Sequence, residues 1–203
     1  SAVSHDLRTP LASMQGYLEI LLLRHGALSP DEARSYLEIA AKHSDRLGKL
    51  VRDLFELTKL EAHDVRPQAE EFPLTELVQD VLQKFELTAE QRGLRLEHRL
   101  ASAVPPVRAD IGMIERVLEN LLENAIRHTP AGGAVRIELD ADAEHVLVSI
   151  SDTGRGIAPE DLAQVFDRYY RADRGEFGSA GHAGLGLAIT RRIVELHGGS
   201  IAV

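Results

Sequence analysis

One histidine near the start of the chain, His5, is followed directly by Asp6 and, one helical turn later, by Thr9. A neutral imidazole attacks phosphorus near neutral pH without prior deprotonation by a strong base, because its free pKa is about 6.5. The neighbouring carboxylate can orient the ring and accept its proton, and the hydroxyl on the same helix face could position a water molecule. A lone histidine on a helix is usually only solvated, so phosphoryl transfer needs support from other segments.

A second group of residues could bind a nucleotide and a metal ion. The segment ENLLENAIRHTP places Asn120 and Asn124 four residues apart on one helix face, with Arg127 about one turn beyond. An asparagine oxygen suits Mg²⁺, which keeps several waters and bridges substrate phosphates. Asparagine pairs on helices mostly face solvent, so this spacing alone is a weak indication.

Two glycine-rich segments follow. SDTGRGI ends a predicted strand at Asp152, and its glycines let the backbone approach a ligand, although it could be an ordinary turn. A buried carboxylate here would accept from the adenine amino group but face an acceptor oxygen in guanine, which favours ATP. Residues 171–184 lack a hydrophobic period and are predicted to form a mobile lid. They lead into GLGLAI, and glycine-rich backbone before a helix N-terminus suits phosphate.

The first part of the chain must hold His5 on a helix. Apolar residues recur in steps of four and three, which predicts a coiled-coil seam and puts His5 on the solvent side; they are Leu7, Leu11, Met14, Leu18 and Leu21. A second helix is predicted from Pro30 to about residue 60, with His43 on its seam as a core histidine. Two such helices leave apolar surface uncovered, so we expect an all-α hairpin that dimerises into a four-helix bundle.

The pattern changes near residue 64, and we expect a domain boundary between residues 1–63 and 64–203. A short strand near Phe72 is predicted first. Helices are then predicted at 74–92, 111–128 with Asp110 as cap, and 185–197, and strands at 94–100, 134–140 and 145–152. A last strand is expected to start at 200–203, with its hairpin partner beyond the sequence. This half is predicted to be an α+β two-layer sandwich.

Composition excludes several classes of function. The formal net charge of -9 would repel a phosphate backbone, so no nucleic acid partner is expected. The longest apolar run, LEILLL, is too short to span a membrane. Cysteine is absent, which removes disulfides and cysteine-ligated zinc, and the other histidines show no zinc-ligand spacing. A cytoplasmic location is expected.

The segment SHDLRTPL resembles, at every position, the H box S-H-[E/D]-L-R-T-P-L of the commonest family of sensor histidine kinases. The resemblance implies that His5 is the phosphorylated residue and Asp6 its general base. It also implies that Asp6 and Thr9 act in dephosphorylating the cognate response regulator.

Four further motifs follow in the order and spacing of the same family. They resemble the N box (Asn120, Asn124), the G1 box (Asp152, Gly154, Gly156, Ile157), the F box (Phe166) and the G2 box (Gly184, Leu185, Gly186, Leu187). The resemblance implies a Bergerat-type (GHKL) ATP-binding sandwich that uses ATP and Mg²⁺.

The resemblance also implies individual roles. Asn124 would bind Mg²⁺, Asp152 adenine and Arg127 the phosphates, while Arg171 would lie near the γ-phosphate and Phe166 would anchor the lid. The sequence departs from the family at two positions, where His128 replaces a common Tyr in the predicted cofactor site and Ala183 replaces Thr or Ser.

The implied partners are a second copy of the chain and the receiver domain of a response regulator. The chain would be the cytoplasmic portion of an inner-membrane receptor, whose sensor and membrane segments precede Ser1. The sequence leaves open whether His5 is phosphorylated within one subunit or across the dimer.

Two alternatives compete with this reading. An ATPase of the gyrase and chaperone type places a Glu one turn before the Mg²⁺-binding Asn to activate water, but here Asn120 occupies that position and cannot act as a base. A dimeric nucleotide-sensing scaffold without catalysis is disfavoured by the intact His5, Asp6, Asn124 and Asp152.

Overall fold

The computed structural model describes residues 2–62, 65–170 and 184–203, and begins with a hairpin of two long helices. Helix α1 spans Ala2–Leu23 and α2 spans Pro30–Glu61. A capping box starts α2, because the Ser29 hydroxyl accepts from the Glu32 N–H while the Glu32 carboxylate accepts from the Ser29 N–H. The predicted helical hairpin is confirmed. None of the described helices combines the length and apolar character needed to cross a bilayer.

Aromatic contacts fix how the two helices align. The ring of Tyr17 on α1 lies 5.8 Å from that of Tyr36 and 6.3 Å from that of His43, both on α2. Tyr17 is therefore opposite about residue 40, and because both helices rise about 1.5 Å per residue, His5 is level with about residue 52. His43 is half-buried, and its Nδ1 atom has no hydrogen-bond partner within the described part of the chain.

The described part of the second domain contains two small sheets and three helices. In chain order its elements are β1 (Glu70–Phe72), α3 (Leu74–Gln91), β2 (Arg95–Leu100), β3 (Val107–Ala109), α4 (Ile111–His128), β4 (Ala134–Ala141), β5 (Val146–Asp152) and α5 (Gly186–Leu196). Strands β1 and β3 pair antiparallel, while β4 lies between β2, its parallel neighbour, and β5, its antiparallel one.

The core of this domain lies between helices α3 and α4 and the three-stranded sheet. Apolar side chains alternate inward along β4, where Val135, Ile137 and Leu139 are fully buried, and they meet Val81 of α3 and Leu122 of α4. One apolar face on each layer is the pattern of a two-layer α+β sandwich. The predicted fold class is confirmed.

Two short segments differ from the expectation. The strand predicted at residues 200–203 is irregular backbone, because no described strand pairs with it and a strand requires a ladder partner. The three-residue strand Val107–Ala109 was not predicted, since it directly follows two prolines and is too short to show a period of two.

The two domains pack against each other along α2. Leu50, Leu57 and Leu60 of α2 form one buried cluster with Ile189 and Ile193 of α5. Val117 of α4 and Leu185 belong to the same cluster, and Leu7 of α1 packs against it. The N-terminal part of α1, which carries His5, thus lies at the level where the second domain docks.

Ion pairs flank this apolar contact. Asp53 is only 5% exposed. Its carboxylate accepts a hydrogen bond from Nη2 of Arg116 at 2.5 Å, and Nε of Arg116 donates to Glu56 at 3.2 Å. Nζ of Lys49 lies 2.6 Å from the Glu123 carboxylate. Each pair joins α2 to α4, so the charges as well as the apolar side chains set the position of the second domain.

Burial determines the pKa of Glu56 but not that of Arg116. Burial raises the pKa of Glu56, and the attraction of Arg116 offsets this only in part. Burial alone would lower the pKa of Arg116, but the carboxylates of Glu56 and Asp53 outweigh it and the pKa is raised. Arg116 is therefore firmly cationic, whereas ionised Glu56 gives little net stabilisation.

We expect Asp53→Asn to destabilise the chain more than Glu56→Gln. Removing the Asp53 charge leaves the Arg116 cation with one weaker partner, at a cost of about 2 kcal/mol after allowance for its partial exposure. Neutralising Glu56 should cost less than about 1 kcal/mol, because the burial penalty of its charge disappears. Urea denaturation followed by circular dichroism measures both values. Asp45→Asn, on an exposed face of α2, is the control, and equal losses for the first two variants would contradict the expectation.

Candidate functional site

His5 projects from the second turn of α1 into solvent. Its side chain is 80% exposed, and Nδ1 lies 3.6 Å from Oδ1 of Asp6, whose side chain is 19% exposed. At this distance the two side chains are neighbours but are not hydrogen-bonded. The Thr9 hydroxyl lies one turn on and donates to the His5 carbonyl at 3.1 Å, which leaves its oxygen lone pairs available to a water molecule. The structure thus brings these three residues together on α1.

The loop after β5 is shaped around Gly154. A Cβ atom at this position would lie 2.4 Å from the carbonyl oxygen of His128 and 2.6 Å from Oδ1 of Asp152, so only glycine fits. The Gly154 N–H donates to Oδ1 of Asp152 at 2.8 Å. The close approach of Gly154 to the His128 carbonyl brings the loop after β5 against the end of α4, which puts two of the predicted motifs side by side.

Asp152 was expected to be buried, and that expectation is wrong. The residue is exposed, because it ends β5, which is an edge strand of the described sheet. Its Oδ1 atom is engaged by Gly154. Gly156, with φ 71°, and the exposed Ile157 follow in the same loop.

The two asparagines of α4 differ in how far they are buried. Asn120 is 8% exposed and its amide donates to the Gly186 carbonyl at 3.3 Å and to the Thr190 hydroxyl at 3.5 Å. It therefore joins α4 to the first turn of α5. Asn124, one turn later, is only partly buried, so its oxygen is the more accessible ligand on this face.

Arg127 and His128, at the end of α4, are also partly buried. Burial lowers the pKa of the Arg127 guanidinium, against the attraction of Glu123, which lies 3.5 Å away. A desolvated cation at this place gains most from an anionic ligand, because its charge is poorly hydrated.

The backbone just before α5 also has a position that only glycine fits. Gly184 has φ 67°, and an added Cβ would lie 2.5 Å from the Tyr170 carbonyl oxygen. Its own carbonyl accepts from the N–H of Tyr169, which also has a positive φ of 63°. Leu185 is buried in the interdomain cluster, and Leu187 is partly buried. The helix that begins here is thus anchored to both domains.

The remaining predicted residues lie elsewhere or outside the described chain. Phe166 is partly buried and lines a groove of about 460 Å³ between α2 and α5, together with Leu57 and Arg192. Arg171, His182 and Ala183, with the rest of the predicted lid at 171–183, lie outside the described residues.

The side chains of this site can be compared with those that usually bind a divalent metal. The described residues contain no group of three His, Asp or Glu side chains that could hold an ion by itself. Mg²⁺ usually has one or two protein ligands and completes its shell with water and substrate phosphates, and the single oxygen of Asn124 matches that mode.

The residues that join α4 to α2 carry no distinguishing mark in the sequence. Lys49, Asp53 and Glu56 follow one another at helical spacing on α2, yet charges at such spacing are usual on any exposed helix face. Arg116 and Glu123 are likewise ordinary helix residues in sequence. Only contact across the domains distinguishes them.

Two family models match the chain. The HisKA model, "His Kinase A (phospho-acceptor) domain", matches residues 1–63. The HATPase_c model, "Histidine kinase-, DNA gyrase B-, and HSP90-like ATPase", matches residues 109–203. The sensor histidine kinase WalK of Bacillus subtilis (strain 168) is 36% identical over 202 residues, which are 98% of this chain and 33% of WalK. The chain thus spans about a third of that relative.

Solved structures of the same kind match over nearly the whole chain. Histidine kinase AdeS of Acinetobacter baumannii is 33% identical, with a TM-score of 0.75, and the match covers 95% of this chain and 86% of AdeS. Histidine kinase ThkA, solved in complex with the response regulator protein TrrA, is 26% identical, with a TM-score of 0.76, over 97% of this chain and 54% of that one. With both domain types matched in order, the chain belongs to the sensor histidine kinases.

Proposed function

We propose that the chain is a protein-histidine kinase core, which moves the γ-phosphoryl group of ATP onto His5 and then to an aspartate of a response regulator. The observation that carries the proposal is the His5 imidazole, which is 80% exposed and beside the Asp6 carboxylate. An exposed nucleophile can meet a phosphoryl donor held by another domain. The second domain, which docks at the same level of the hairpin, matches an ATPase family model.

The chemistry at His5 follows from the two atoms that face each other. Nδ1 is the nitrogen nearest Asp6, so the lone pair of Nε2 attacks the γ-phosphorus while Asp6 takes the Nδ1 proton. The bond from phosphorus to the bridging oxygen breaks, and that oxygen keeps the electron pair on ADP. Positioning and charge stabilisation provide most of the catalysis in such loose transition states.

ATP is the proposed donor because the loop and helix ends suit its parts. The exposed Asp152 carboxylate, which ends β5 directly before the glycine loop, can accept from an adenine amino group. Arg127, partly desolvated, would pair with phosphate. Mg²⁺ bound to Asn124 and the phosphates would supply charge neutralisation.

Transfer is favoured over hydrolysis by the position of Asn120. An ATPase needs a base one turn before the metal-binding asparagine, and here that side chain is a buried amide bonded to Gly186 and Thr190. An amide cannot take a proton from water at neutral pH. The acceptor is therefore His5 rather than water.

A homodimer is the proposed assembly. The hairpin leaves large apolar side chains exposed on both helices, including Leu11 and Leu18 on α1 and Phe55 on α2. Packing against a second hairpin would bury them in a four-helix bundle. The HisKA match supports this assembly.

The proposed partner is a receiver domain, because ThkA was solved in complex with a response regulator. Phosphohistidine holds a high-energy P–N bond, so the group passes readily to an aspartate. No nucleic acid partner is proposed, given the net charge of -9. The chain spans about a third of WalK, and we propose that it acts as the cytoplasmic portion of an inner-membrane receptor whose other parts detect the signal.

Dephosphorylation of the regulator is the proposed second activity. It is supported by the Thr9 hydroxyl, whose proton is donated to the His5 carbonyl, so its oxygen can accept from a water molecule. A water held there would lie on the His5 face of α1, where the receiver domain must dock for transfer.

The His5→Gln variant should lose all label when the chain is incubated with γ-³²P-ATP and Mg²⁺, because the amide is not a nucleophile. The wild-type label should resist alkali and be lost in acid, as expected of a phosphoramidate. His25→Gln, an exposed histidine at the other end of the hairpin, is the matched control and should be labelled normally. Alkali-labile label, or label that persists in His5→Gln, would refute the kinase proposal.

Asp152→Asn should weaken ATP binding by about tenfold to hundredfold, because an amide nitrogen would face the adenine amino group. Isothermal titration with ATP and GTP measures the change. Asp142→Asn is the matched control, since Asp142 also accepts backbone N–H groups in an exposed turn. An unchanged ATP affinity in Asp152→Asn would remove Asp152 from the adenine site.

Thr9→Ala should retain labelling of His5 within about threefold but remove phosphate from a phosphorylated receiver domain about tenfold more slowly. The control is Thr58→Ala, because the Thr58 hydroxyl also donates to a carbonyl one turn earlier, at 2.8 Å. Equal phosphatase rates for the two variants would show that the hydroxyl at position 9 does not hold the water.

A further inference from the structure

Glu123 connects the helical hairpin to the arginine that is proposed to bind phosphate. From α2, Nζ of Lys49 donates to both oxygens of the Glu123 carboxylate, at 2.7 Å to Oε1 and 2.6 Å to Oε2. One turn further along α4, Nη2 of Arg127 lies 3.5 Å from Oε1 of the same carboxylate. The carboxylate is thus shared by these two cations, and the one from the other domain lies closer.

Arg127 lies between this carboxylate and the proposed metal ligand. With about 100° per residue, its direction from the axis of α4 is about 40° from that of Glu123 and about 60° from that of Asn124. The guanidinium can therefore turn toward the carboxylate or toward the phosphates of an ATP bound beside Asn124. Because the Arg127 side chain is only 25% exposed, water hydrates its charge poorly and an anionic partner matters more.

The net charge at this place depends on Lys49. The charges of Glu123 and Arg127 alone sum to zero, and a carboxylate beside the phosphates of ATP repels them. With Lys49 in contact, the three side chains carry one net positive charge. All three are partly buried, so salt screens their interactions less than those between exposed charges.

The ion pair between Asp53 and Arg116 lies further from the proposed phosphate site. Arg116 precedes Arg127 by 11 residues on α4, which places the two about 16 Å apart along the helix axis. Glu123 precedes Arg127 by only one turn, about 6 Å. Both interdomain pairs hold the second domain against α2, but of the two it is the pair with Lys49 that adjoins Arg127.

We propose that Lys49 of α2 is a positioning residue for ATP: by holding the Glu123 carboxylate, it keeps that charge from opposing the pairing of Arg127 with the phosphates. The inference rests on the proposed kinase function and adds a residue of the helical hairpin to the nucleotide site. ATP is bound more tightly while Lys49 contacts Glu123 than when the contact is withdrawn. Because linkage between binding events is reciprocal, ATP stabilises the docked arrangement of the domains by the same factor.

Removing the two partners of this pair one at a time should have opposite effects on ATP binding. Lys49→Met should raise the dissociation constant of ATP about fivefold to tenfold, because the Glu123 carboxylate then opposes the phosphates. Glu123→Gln breaks the same contact, yet ATP should bind as tightly as to the wild type or more tightly. Isothermal titration of the full chain with ATP and Mg²⁺ measures both values. Equal weakening by the two variants would mean that the pair only holds the domains together, and would overturn the proposal.

Two further variants test the route through Glu123. Lys49→Arg keeps a cation that can bind both carboxylate oxygens, and should restore the ATP affinity to within about twofold of the wild type. In the Glu123→Gln background, Lys49→Met should change the ATP affinity less than about twofold, because the opposing charge is already gone. A loss of fivefold or more in that background would show that Lys49 does not act through Glu123.

Adenosine and Lys42→Met are the controls. Adenosine carries no phosphate, so Lys49→Met should change its affinity less than about twofold. Lys42 is exposed on nearly the same side of α2, about 10 Å before Lys49 along the axis, and Lys42→Met should leave ATP binding unchanged. A loss of adenosine affinity, or a loss of ATP affinity in Lys42→Met, that equals the effect of Lys49→Met on ATP would contradict the inference.

Failure of the kinase proposal gives a different result. The wild-type chain would then bind ATP no more tightly than adenosine and carry no acid-labile label at His5, which would overturn both proposals. If the wild type and Lys49→Met both bind ATP with the same affinity and both label His5, the role of Lys49 alone is refuted.

Discussion

The arrangement of the whole chain depends on the apolar contact between α2 and α5. Leu50 and Leu57 meet Ile189 and Ile193 there, and all four are nearly inaccessible to solvent. Burying a side chain of this size contributes about 1.5–3 kcal/mol relative to leaving it exposed. Because both domains belong to one chain, the entropy lost on docking is small compared with that of two separate molecules. A short apolar seam is therefore enough to hold the second domain against the helical hairpin.

Helix α5 links this contact to the glycine-containing backbone that precedes it. It has 11 residues and so a length of about 16 Å. Its first turn is held by the Asn120 amide, and its buried side lies against α2. The backbone just before it has positive φ at Gly184 and approaches Tyr170 too closely for any side chain. A ligand that shifts this turn must also shift side chains of the interdomain cluster, since an α-helix moves as a rigid unit.

Sequence periodicity was sufficient to predict the elements and insufficient to predict how the domains meet. The long helices and the β4 and β5 strands bury one face each, so their spacing of apolar residues shows in the sequence. The strand at Val107–Ala109 has too few residues for that, and Asp152 was assigned to the interior although it ends an edge strand. Glycine motifs marked the loop after β5 as a place of close packing, because only glycine fits where backbones touch, as at Gly154. Arg116 carries no such mark, because its role depends on a carboxylate 63 residues away in the chain.

The interdomain ion pairs explain how the register of docking along α2 is set. A buried ion pair adds little net stability, since desolvation offsets most of the attraction, but a mismatched charge is costly. An apolar seam alone could slide by one helical turn along α2. Such a slide would put either Lys49 or Leu57 where Asp53 meets Arg116, leaving that cation beside another cation or without a carboxylate. The alternative registers are therefore disfavoured, and Asn124, which follows Glu123 on α4, stays at the height of His5 whenever the domains dock.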